Sequence, residues 1–203
     1  IVINVLSPLL SSIQKEKQRL KVTYLKVVNY LAYINFPIYV LVIVASKEIL
    51  HIVYGAAYAE SYVILSFLAF SYCLSALSNP VGSLQIATGR TDIGFKWTIL
   101  RVITTPPVIF AGALINIEAV AAFYALLSLL YILPLWFIQL NPMANIKLKE
   151  YTKQFYKPFL FFLGATLIIY LLGDKTEITN NIITNAIIKV SVTVVAFALF
   201  VIS

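Results

Sequence analysis

Residues 86–97, IATGRTDIGFKW, form a short charged segment between two apolar runs, which cover residues 61–88 and 97–117. A helix needs about 20 apolar residues to cross the roughly 30 Å hydrocarbon core of a bilayer. Each run is long enough for that. The segment therefore predicts a tight turn between two membrane-spanning helices, and the fold follows from how many such runs the chain contains.

The composition is also typical of a membrane protein. The 203 residues are 61% hydrophobic and 11% charged, whereas an ordinary soluble domain is about 45–50% apolar and about 25% charged. The net charge of +7 would raise nucleic acid as a partner in a soluble protein. Here the cations lie between apolar runs, so we expect no nucleic-acid partner. The chain begins at Ile1 and is still apolar near Ser203, so we interpret it as a fragment that is open at both ends.

Six stretches have the length or composition of a membrane span, and residues 1–10 have the character of the end of a preceding helix. The predicted spans are Val27–Ser46, Ser61–Thr88, Trp97–Ile117, Ala119–Leu140, Pro158–Gly173 and Ile182–Ser203. The fifth span is the shortest. The sequence therefore predicts an all-α, polytopic membrane helix bundle with six transmembrane helices plus the end of a preceding one.

The cations alternate between the two sides of this arrangement. Lys47 and Lys175 lie on one side, and Lys189 lies within the last span, where we expect its side chain to snorkel to the interface. The other twelve cations lie on or near the opposite side. They are Lys15, Lys17, Arg19, Lys21, Lys26, Arg90, Lys96, Arg101, Lys147, Lys149, Lys153 and Lys157. Loops rich in Lys and Arg face the cytoplasm. The first, third and fifth connections, at residues 11–26, 89–96 and 141–157, are therefore predicted to be cytoplasmic.

The charged turn itself is expected to be structural. Gly89 is predicted to end one helix, as glycine commonly does. Thr91 or Asp92 is predicted to cap the next helix, and Lys96 with Trp97 to anchor it at the membrane interface.

No group of residues predicts catalysis or metal binding. All eight acids are expected in loops or at span ends, with none in a membrane core. His51 has no second ligand at a suitable spacing, and Cys73 is expected to be a small buried hydrophobe. We expect no enzyme activity, no metal and no cofactor.

Arg101 and Lys96 are the weak candidates for substrate binding. Arg101 lies four residues past the interfacial pair Lys96 and Trp97, a distance of roughly 6 Å along a helix. Its side chain is expected either to snorkel to the cytoplasmic headgroups or to contact an anion in a water-filled cavity.

Polar residues recur at helical spacing in the second span. Ser71, Ser75, Ser78 and Asn79 are spaced to share one helix face. This polar helix face either hydrogen-bonds to a neighbouring helix or lines a cavity.

Prolines interrupt several spans. Pro37, Pro80, Pro106 and Pro107 each remove a backbone hydrogen bond and favour a kink. They are hinge candidates, although proline is also simply more frequent in membrane helices than in soluble ones.

Residues 11–26, SSIQKEKQRLKVTYLK, combine five cations with one acid at the membrane edge. They are expected to fix the orientation of the first span. An alternative role is binding of anionic lipid headgroups.

The ordered pieces of the chain resemble a known family. They are LSPLLSSIQKEKQRLKVTYLK at 6–26, Pro37, IVYGAAYAESYVIL at 52–65 and NPVGSLQIATGRTDIGFKW at 79–97. In this order and spacing they are similar to the second half of bacterial polysaccharide and O-antigen flippases, which belong to the multidrug, oligosaccharidyl-lipid and polysaccharide exporter superfamily.

The resemblance implies two six-helix bundles around a central cavity with alternating access. Residues 1–140 would form the C-terminal lobe, with the end of helix 8 and helices 9–12. Residues 141–203 would form a cytoplasmic connection and two additional helices, 13 and 14. The whole first lobe would lie outside this chain.

The implied function is to flip an undecaprenyl-pyrophosphate-linked oligosaccharide across the bacterial plasma membrane for polysaccharide biosynthesis. The lipid-linked oligosaccharide, membrane lipids and other polysaccharide-assembly membrane proteins would be its partners. The alternatives are a multidrug exporter of the same superfamily, a membrane glycan polymerase or ligase, and a membrane scaffold that transports nothing. Multidrug exporters usually carry acids within the membrane, and polymerases a large outer loop, and the sequence predicts neither here.

Overall fold

A computed structural model describes residues 2–172 and 182–202 of the chain, and this part is almost wholly helical, with no strand. Its helices are α1 Val2–Ser12, α2 Lys17–Val44, α3 Ser46–Tyr54, α4 Tyr62–Ala76, α5 Val81–Thr88, α6 Thr91–Ala113, α7 Ile117–Leu130, α8 Ile132–Leu135, α9 Asn141–Ala144, α10 Leu148–Lys153, α11 Tyr156–Leu172 and α12 Ile182–Ile202. A 3₁₀-helix, Ala56–Ser61, joins α3 to α4, and a π-helix, Trp136–Leu140, joins α8 to α9.

The longest helix, α2, lies at the centre of the bundle. A row of side chains at four-residue spacing along it is buried, because residues four apart share a helix face. This row packs against α4, α11 and α12. Its members are Leu20, Tyr24, Val28, Ala32, Phe36, Val40 and Val44.

The other helices extend from this centre as a row. Helix α4 packs between α2 and α7, and α7 packs between α4 and α6. Helix α6 therefore forms the edge, and only Ile93 and Gly112 are buried on it. Gly112 permits the close α6–α7 contact, because an added Cβ would lie 2.6 Å from Val120 Cα.

Three helical stretches in the described residues are long and apolar enough to cross a membrane: Lys17–Val44, Ala56–Thr88 and Ile117–Ala144. An all-α membrane bundle is thereby confirmed, whereas the count of six spans stays a prediction. The third predicted span corresponds to α6, whose cations and paired prolines lower its hydropathy. The last two predicted spans correspond to α11 and α12, with Gly173 and Ser203 outside the described residues.

The predicted single span 61–88 is two helices. Helix α4 ends at Ala76, and the amides of Leu77, Ser78 and Asn79 bond three residues back, which winds the chain more tightly than an α-helix. Pro80 follows and has no amide hydrogen to continue the helix. Pro80 therefore lies at an observed break between two helices.

The turn at residues 88–92 is only partly as predicted. Gly89 ends α5 in the left-handed conformation, with φ +65°, which confirms its role. The capping prediction is wrong, because Arg90 is the N-cap residue and no side chain caps α6. Instead, the Arg90 guanidinium donates to both carboxylate oxygens of Asp92, at 3.0 and 3.2 Å, and lowers the pKa of that carboxyl.

Residues 47–60, which connect the first two predicted spans, are mostly helical. Glu48 on α3 is buried and forms an ion pair with Lys189 of α12. The expectation that Lys189 snorkels was therefore wrong, whereas Glu48 lies just past the end of the first predicted span, as expected for the acids. A buried carboxylate supplies the charge partner that snorkelling would otherwise find at the interface. The predicted outer loop at 174–181, with Asp174, Lys175 and Glu177, lies outside the described residues.

Helix α10 and the residue after it contact the first half of α2. Lys21 Nζ lies 2.6 Å from Glu150 Oε2, and Asn29 Nδ2 donates to the Gln154 carbonyl at 2.7 Å. The hydrogen bond from Lys21 lowers the pKa of Glu150. These contacts join residues 141–157, which are predicted to be cytoplasmic, to the central helix α2.

Candidate functional site

A small cleft of about 40 Å³ opens between α4, α6 and the α7–α8 junction. It has room for a few water molecules. Seven of its eleven lining residues are polar or aromatic, although α4, α6 and α7, which carry four of them, are mainly apolar. The residues that line it are Leu74, Ser75, Leu77, Ser78, Trp97, Arg101, Ser128, Tyr131, Ile132, Leu135 and Tyr151.

Arg101 is the charged group of this cleft. Its side chain is exposed, and its Cζ atom lies 5.9 Å from the centre of the Tyr131 ring. A guanidinium over an aromatic face at this distance is a cation–π contact. In the part of the chain that the structure describes, Arg101 forms no ion pair.

Tyr131 joins α6 to the α7–α8 junction beside the cleft. Its hydroxyl lies 2.6 Å from Thr104 Oγ1 and 3.0 Å from Thr105 Oγ1, and its ring meets Trp97 edge to face with 5.4 Å between the centroids. Thr104 and Thr105 directly precede the proline pair of α6. These contacts fix α6 against the α7–α8 junction and so fix the position of Arg101.

The irregular backbone of α7 to α9 also shapes the cleft. Tyr131 forms a turn between α7 and α8, and Pro134 three residues later lacks the amide hydrogen that would bond to Leu130. The π-helix follows at Trp136, and π-helical turns are frequent at functional sites. Its buried Gln139 accepts a hydrogen bond from Gln85 Nε2 at 2.6 Å, which joins α5 to this helix.

The predicted polar face of residues 71–79 divides into three environments. Ser71 is fully buried and donates to the Phe67 carbonyl of its own helix. Ser75 and Ser78 line the cleft. Asn79 is exposed in the break before α5. Two serines of the stripe therefore lie at a cavity, whereas the hydroxyls of Ser71 and Ser78 bond within their own chain segment and not to a neighbouring helix. The role of the stripe stays a prediction.

The other candidate residues lie apart from the cleft. Lys96 is exposed and does not line it. Pro37 lies within the continuous helix α2, and Pro106 and Pro107 lie within the continuous helix α6. The hinge role of these prolines and of Pro80 stays a prediction.

Sequence reasoning missed Tyr131 as the residue that organises the site. The signal was a tyrosine within an apolar run, because a buried tyrosine hydroxyl usually requires a hydrogen-bond partner. Thr104 and Thr105 are polar residues within an apolar run, but their shared partner Tyr131 lies 27 and 26 residues further along the chain, and no local spacing reveals it.

The cleft presents one guanidinium, several hydroxyls and three aromatic side chains. Cys73 is buried as expected, and no group of three or more potential metal ligands occurs within residues 2–172 and 182–202.

Fold and site together describe an all-helical, multi-pass membrane protein with a polar, cationic cleft at its edge. Comparison with known proteins adds its relatives. Residues 1–63 match the family model described as "Polysaccharide biosynthesis protein". The chain is 27% identical over 190 residues to the "Uncharacterized membrane protein in cps region" of Klebsiella pneumoniae, across 88% of this chain and 38% of that protein.

Two further relatives have names in polysaccharide biosynthesis. The lipopolysaccharide biosynthesis protein WzxC of Escherichia coli K12 is 25% identical over 174 residues, across 85% of this chain and 35% of the relative. The teichuronic acid biosynthesis protein TuaB of Bacillus subtilis 168 is 26% identical over 182 residues, across 87% of this chain and 37% of the relative. No solved structure matches the chain.

These matches confirm the resemblance to polysaccharide flippase-like proteins that the motifs indicated. The chain spans 35–38% of the length of these relatives. Its apolar helices and its bacterial relatives identify it as a multi-pass protein of the bacterial inner membrane.

Proposed function

We propose that this chain is the C-terminal part of a transporter that flips undecaprenyl-pyrophosphate-linked oligosaccharide repeat units across the bacterial plasma membrane. The product would serve the biosynthesis of O-antigen, capsule or exopolysaccharide. The observation that carries the proposal is the Arg101 cleft, in a chain similar to two polysaccharide biosynthesis proteins. A pyrophosphate is the anion that an unpaired guanidinium with neighbouring hydroxyls is suited to contact.

In this proposal, Arg101 contacts the pyrophosphate. Lys96 contacts the same group more weakly as it enters, closer to the cytoplasmic surface. Ser75, Ser78 and Ser128 line the same cleft. The hydroxyls of Ser78 and Ser128 donate to backbone carbonyls and are suited to accept from sugar hydroxyls, while the Ser75 hydroxyl is suited to donate to a phosphate oxygen. The cleft is too small to enclose an oligosaccharide. The other wall of the cavity would come from the part of the transporter outside this chain.

The proposed domain division follows the same scheme. Residues 1–140 form the C-terminal lobe with helices 9–12, and residues 141–203 form a cytoplasmic connection with helices 13 and 14. Six spans result when α6, α11 and α12 cross the membrane together with the three longer helical stretches. The packing of α11 and α12 on α2 is consistent with two helices added to one lobe.

Deletion of the gene tests the function. In the deletion strain we expect the undecaprenyl-linked repeat unit to accumulate on the cytoplasmic side of the membrane, and surface polysaccharide to disappear. Both should be restored by the full-length gene. Normal surface polysaccharide without accumulation would contradict the proposal.

Cysteine labelling tests the orientation. In a Cys73→Ser background, Thr91→Cys should react with a membrane-impermeant thiol reagent only after permeabilisation. Ile115→Cys, at the opposite end of α6 and 65% exposed, should react in intact cells. The reverse pattern would overturn the topology.

A further inference from the structure

Helix α2 carries an exposed row of side chains opposite its buried row. From Leu20 to Val44, every exposed position of α2 belongs to this row, which repeats every four residues. Its members are Val22, Lys26, Tyr30, Ile34 and Ile38. Tyr30, Ile34 and Ile38 are 66%, 59% and 50% exposed, so no described helix covers them.

The chemistry of this row changes along the helix. Ile38 and Ile34 are apolar, Tyr30 is amphipathic and Lys26 is charged. Twelve residues separate Ile38 from Lys26, or about 18 Å at 1.5 Å per residue. That length is close to the roughly 15 Å depth of one leaflet of the hydrocarbon core. The order of aliphatic, aromatic and cationic side chains is the order that one leaflet presents from its centre to its headgroups.

A wide, shallow crevice of about 610 Å³, largely open to solvent, lies at the charged end of the row. Lys17, Arg19, Thr23 and Lys26 are among the residues that line it. Its single acid, Glu16, contacts Arg19 at 3.5 Å between two exposed side chains, and such surface pairs are weak. The crevice therefore has an excess of positive charge.

Lys21 shows that this excess is confined to one side of α2. Its side chain points to the other side and pairs with Glu150 at 2.6 Å. Lys17 and Lys26 form no ion pair with any residue that the structure describes. A protein neighbour on this row would have to desolvate these cations and supply carboxylates, whereas a phospholipid supplies a phosphate at the matching depth.

We propose that this row is a binding surface for an anionic phospholipid of the cytoplasmic leaflet. An acyl chain lies along Tyr30, Ile34 and Ile38, and the phosphate headgroup lies at Lys26 and Arg19. The surface lies on a different helix from the Arg101 cleft, and the proposal does not depend on transport.

Native mass spectrometry of the purified, delipidated full-length protein tests the headgroup contact. Dioleoyl phosphatidylglycerol should bind better than dioleoyl phosphatidylcholine at equal concentration. The double variant Arg19→Gln/Lys26→Gln should weaken phosphatidylglycerol binding on the order of 10- to 30-fold, as expected for two cations at an anionic lipid surface. The matched double variant Lys149→Gln/Lys153→Gln, with the same charge change on α10, should bind like the wild type.

Several results would overturn the proposal. One is the absence of a phosphatidylglycerol preference in the wild type, and another is an equal loss in both double variants. Competition by soluble glycerol 1-phosphate at the concentration of the lipid would indicate an anion patch that does not use the acyl chain. Displacement of phosphatidylglycerol by an equimolar amount of undecaprenyl pyrophosphate would assign the surface to that lipid instead.

A spin label tests whether the apolar half of the row faces lipid. A label at Ile34→Cys, in a Cys73→Ser background and in phosphatidylglycerol vesicles, should be relaxed by dissolved oxygen and not by a water-soluble nickel chelate. A label that neither agent relaxes would show that another part of the protein covers the row, and the proposal would be wrong.

Discussion

Two cations within apolar helices, Lys189 in α12 and Arg101 in α6, have opposite surroundings. Lys189 is nearly buried and pairs with the buried Glu48 of α3. Arg101 is exposed at a cleft, lies over the Tyr131 ring and forms no ion pair with a described residue. The first cation already has its counter-charge, whereas the second is free to contact an anion that arrives from outside.

The difference shows that depth in an apolar helix does not by itself assign a function. A buried charge is stable only with a partner and further hydrogen bonds, and Glu48 Oε1 provides that partner for Lys189. The ion pair therefore joins α12 to α3. Arg101 keeps contact with water through the cleft, and the aromatic ring leaves its hydrogen-bond donors available.

The largest expected effect comes from breaking the ion pair between Glu48 and Lys189. Glu48→Ala leaves Lys189 buried without a counter-charge and should lower the free energy of unfolding by about 3–5 kcal/mol. Thermal or denaturant unfolding of the purified protein in detergent measures this.

The double variant Glu48→Met/Lys189→Met separates charge from packing. It should recover most of the lost stability, because replacing a buried ion pair with apolar residues of similar volume is often nearly neutral. A double variant as unstable as Glu48→Ala would show that the ion pair is not what the single variant disrupts.

A smaller effect is expected from shifting α6, the helix that carries the unpaired Arg101. In Gly112→Ala the new Cβ would lie 2.6 Å from Val120 Cα, a backbone atom that cannot move aside. Helices α6 and α7 must therefore separate, at a cost of about 1–3 kcal/mol, and Arg101 should move from Tyr131. Unfolding measurements and Trp97 fluorescence report the two changes.

Gly164→Ala on α11 is the matched control, because nothing lies within 4 Å of the added Cβ. It should leave Trp97 fluorescence unchanged and raise stability slightly, because alanine favours a helix more than glycine does. Equal effects of the two substitutions would show that the α6–α7 contact is not special.

The smallest effect comes from another ion pair, Lys21–Glu150, which sharpens the comparison because Glu150 is partly exposed. Lys21 lowers the pKa of Glu150, so the pair stabilises the fold above the ordinary glutamate pKa of about 4.3. That contribution is lost as the pH falls through the lowered pKa of the folded state. Melting curves of the wild type and Glu150→Gln should differ slightly at pH 7 and converge in acid.

The exposed carboxylate Glu118 supplies the control for this pH dependence. Glu118 forms no ion pair in the described part of the chain, so Glu118→Gln should melt like the wild type at every pH. A constant difference between wild type and Glu150→Gln down to pH 3 would show that the Lys21 contact contributes nothing.

The helical fold could be predicted from the sequence because apolar length and the positions of Gly89 and Pro80 act locally. The break before Pro80 was harder to predict. Whether proline kinks, breaks or merely bends a helix depends on whether neighbouring groups satisfy the freed carbonyls, as the contrast between Pro80 and the unbroken helix at Pro37 shows.

The site was predictable only in its charge. Arg101 stood out as a cation in an apolar run, but its partner Tyr131 lies 30 residues further along the chain. Glu48 and Lys189 are 141 residues apart, and each alone appeared to be an interfacial charge. Contacts of this kind depend on which helices become neighbours, and no local pattern encodes that.

The central claim is that Arg101 contacts the anionic group of the transported lipid. Its direct test compares Arg101→Gln with the exposed α10 control Lys153→Gln in the full-length protein, by measuring surface polysaccharide and membrane abundance in the deletion strain. We predict that Arg101→Gln is present at normal abundance and loses most export, that Lys96→Gln loses less, and that Lys153→Gln exports normally. Normal export by Arg101→Gln at normal abundance would contradict the claim and would leave Arg101 as a side chain that reaches the cytoplasmic headgroups.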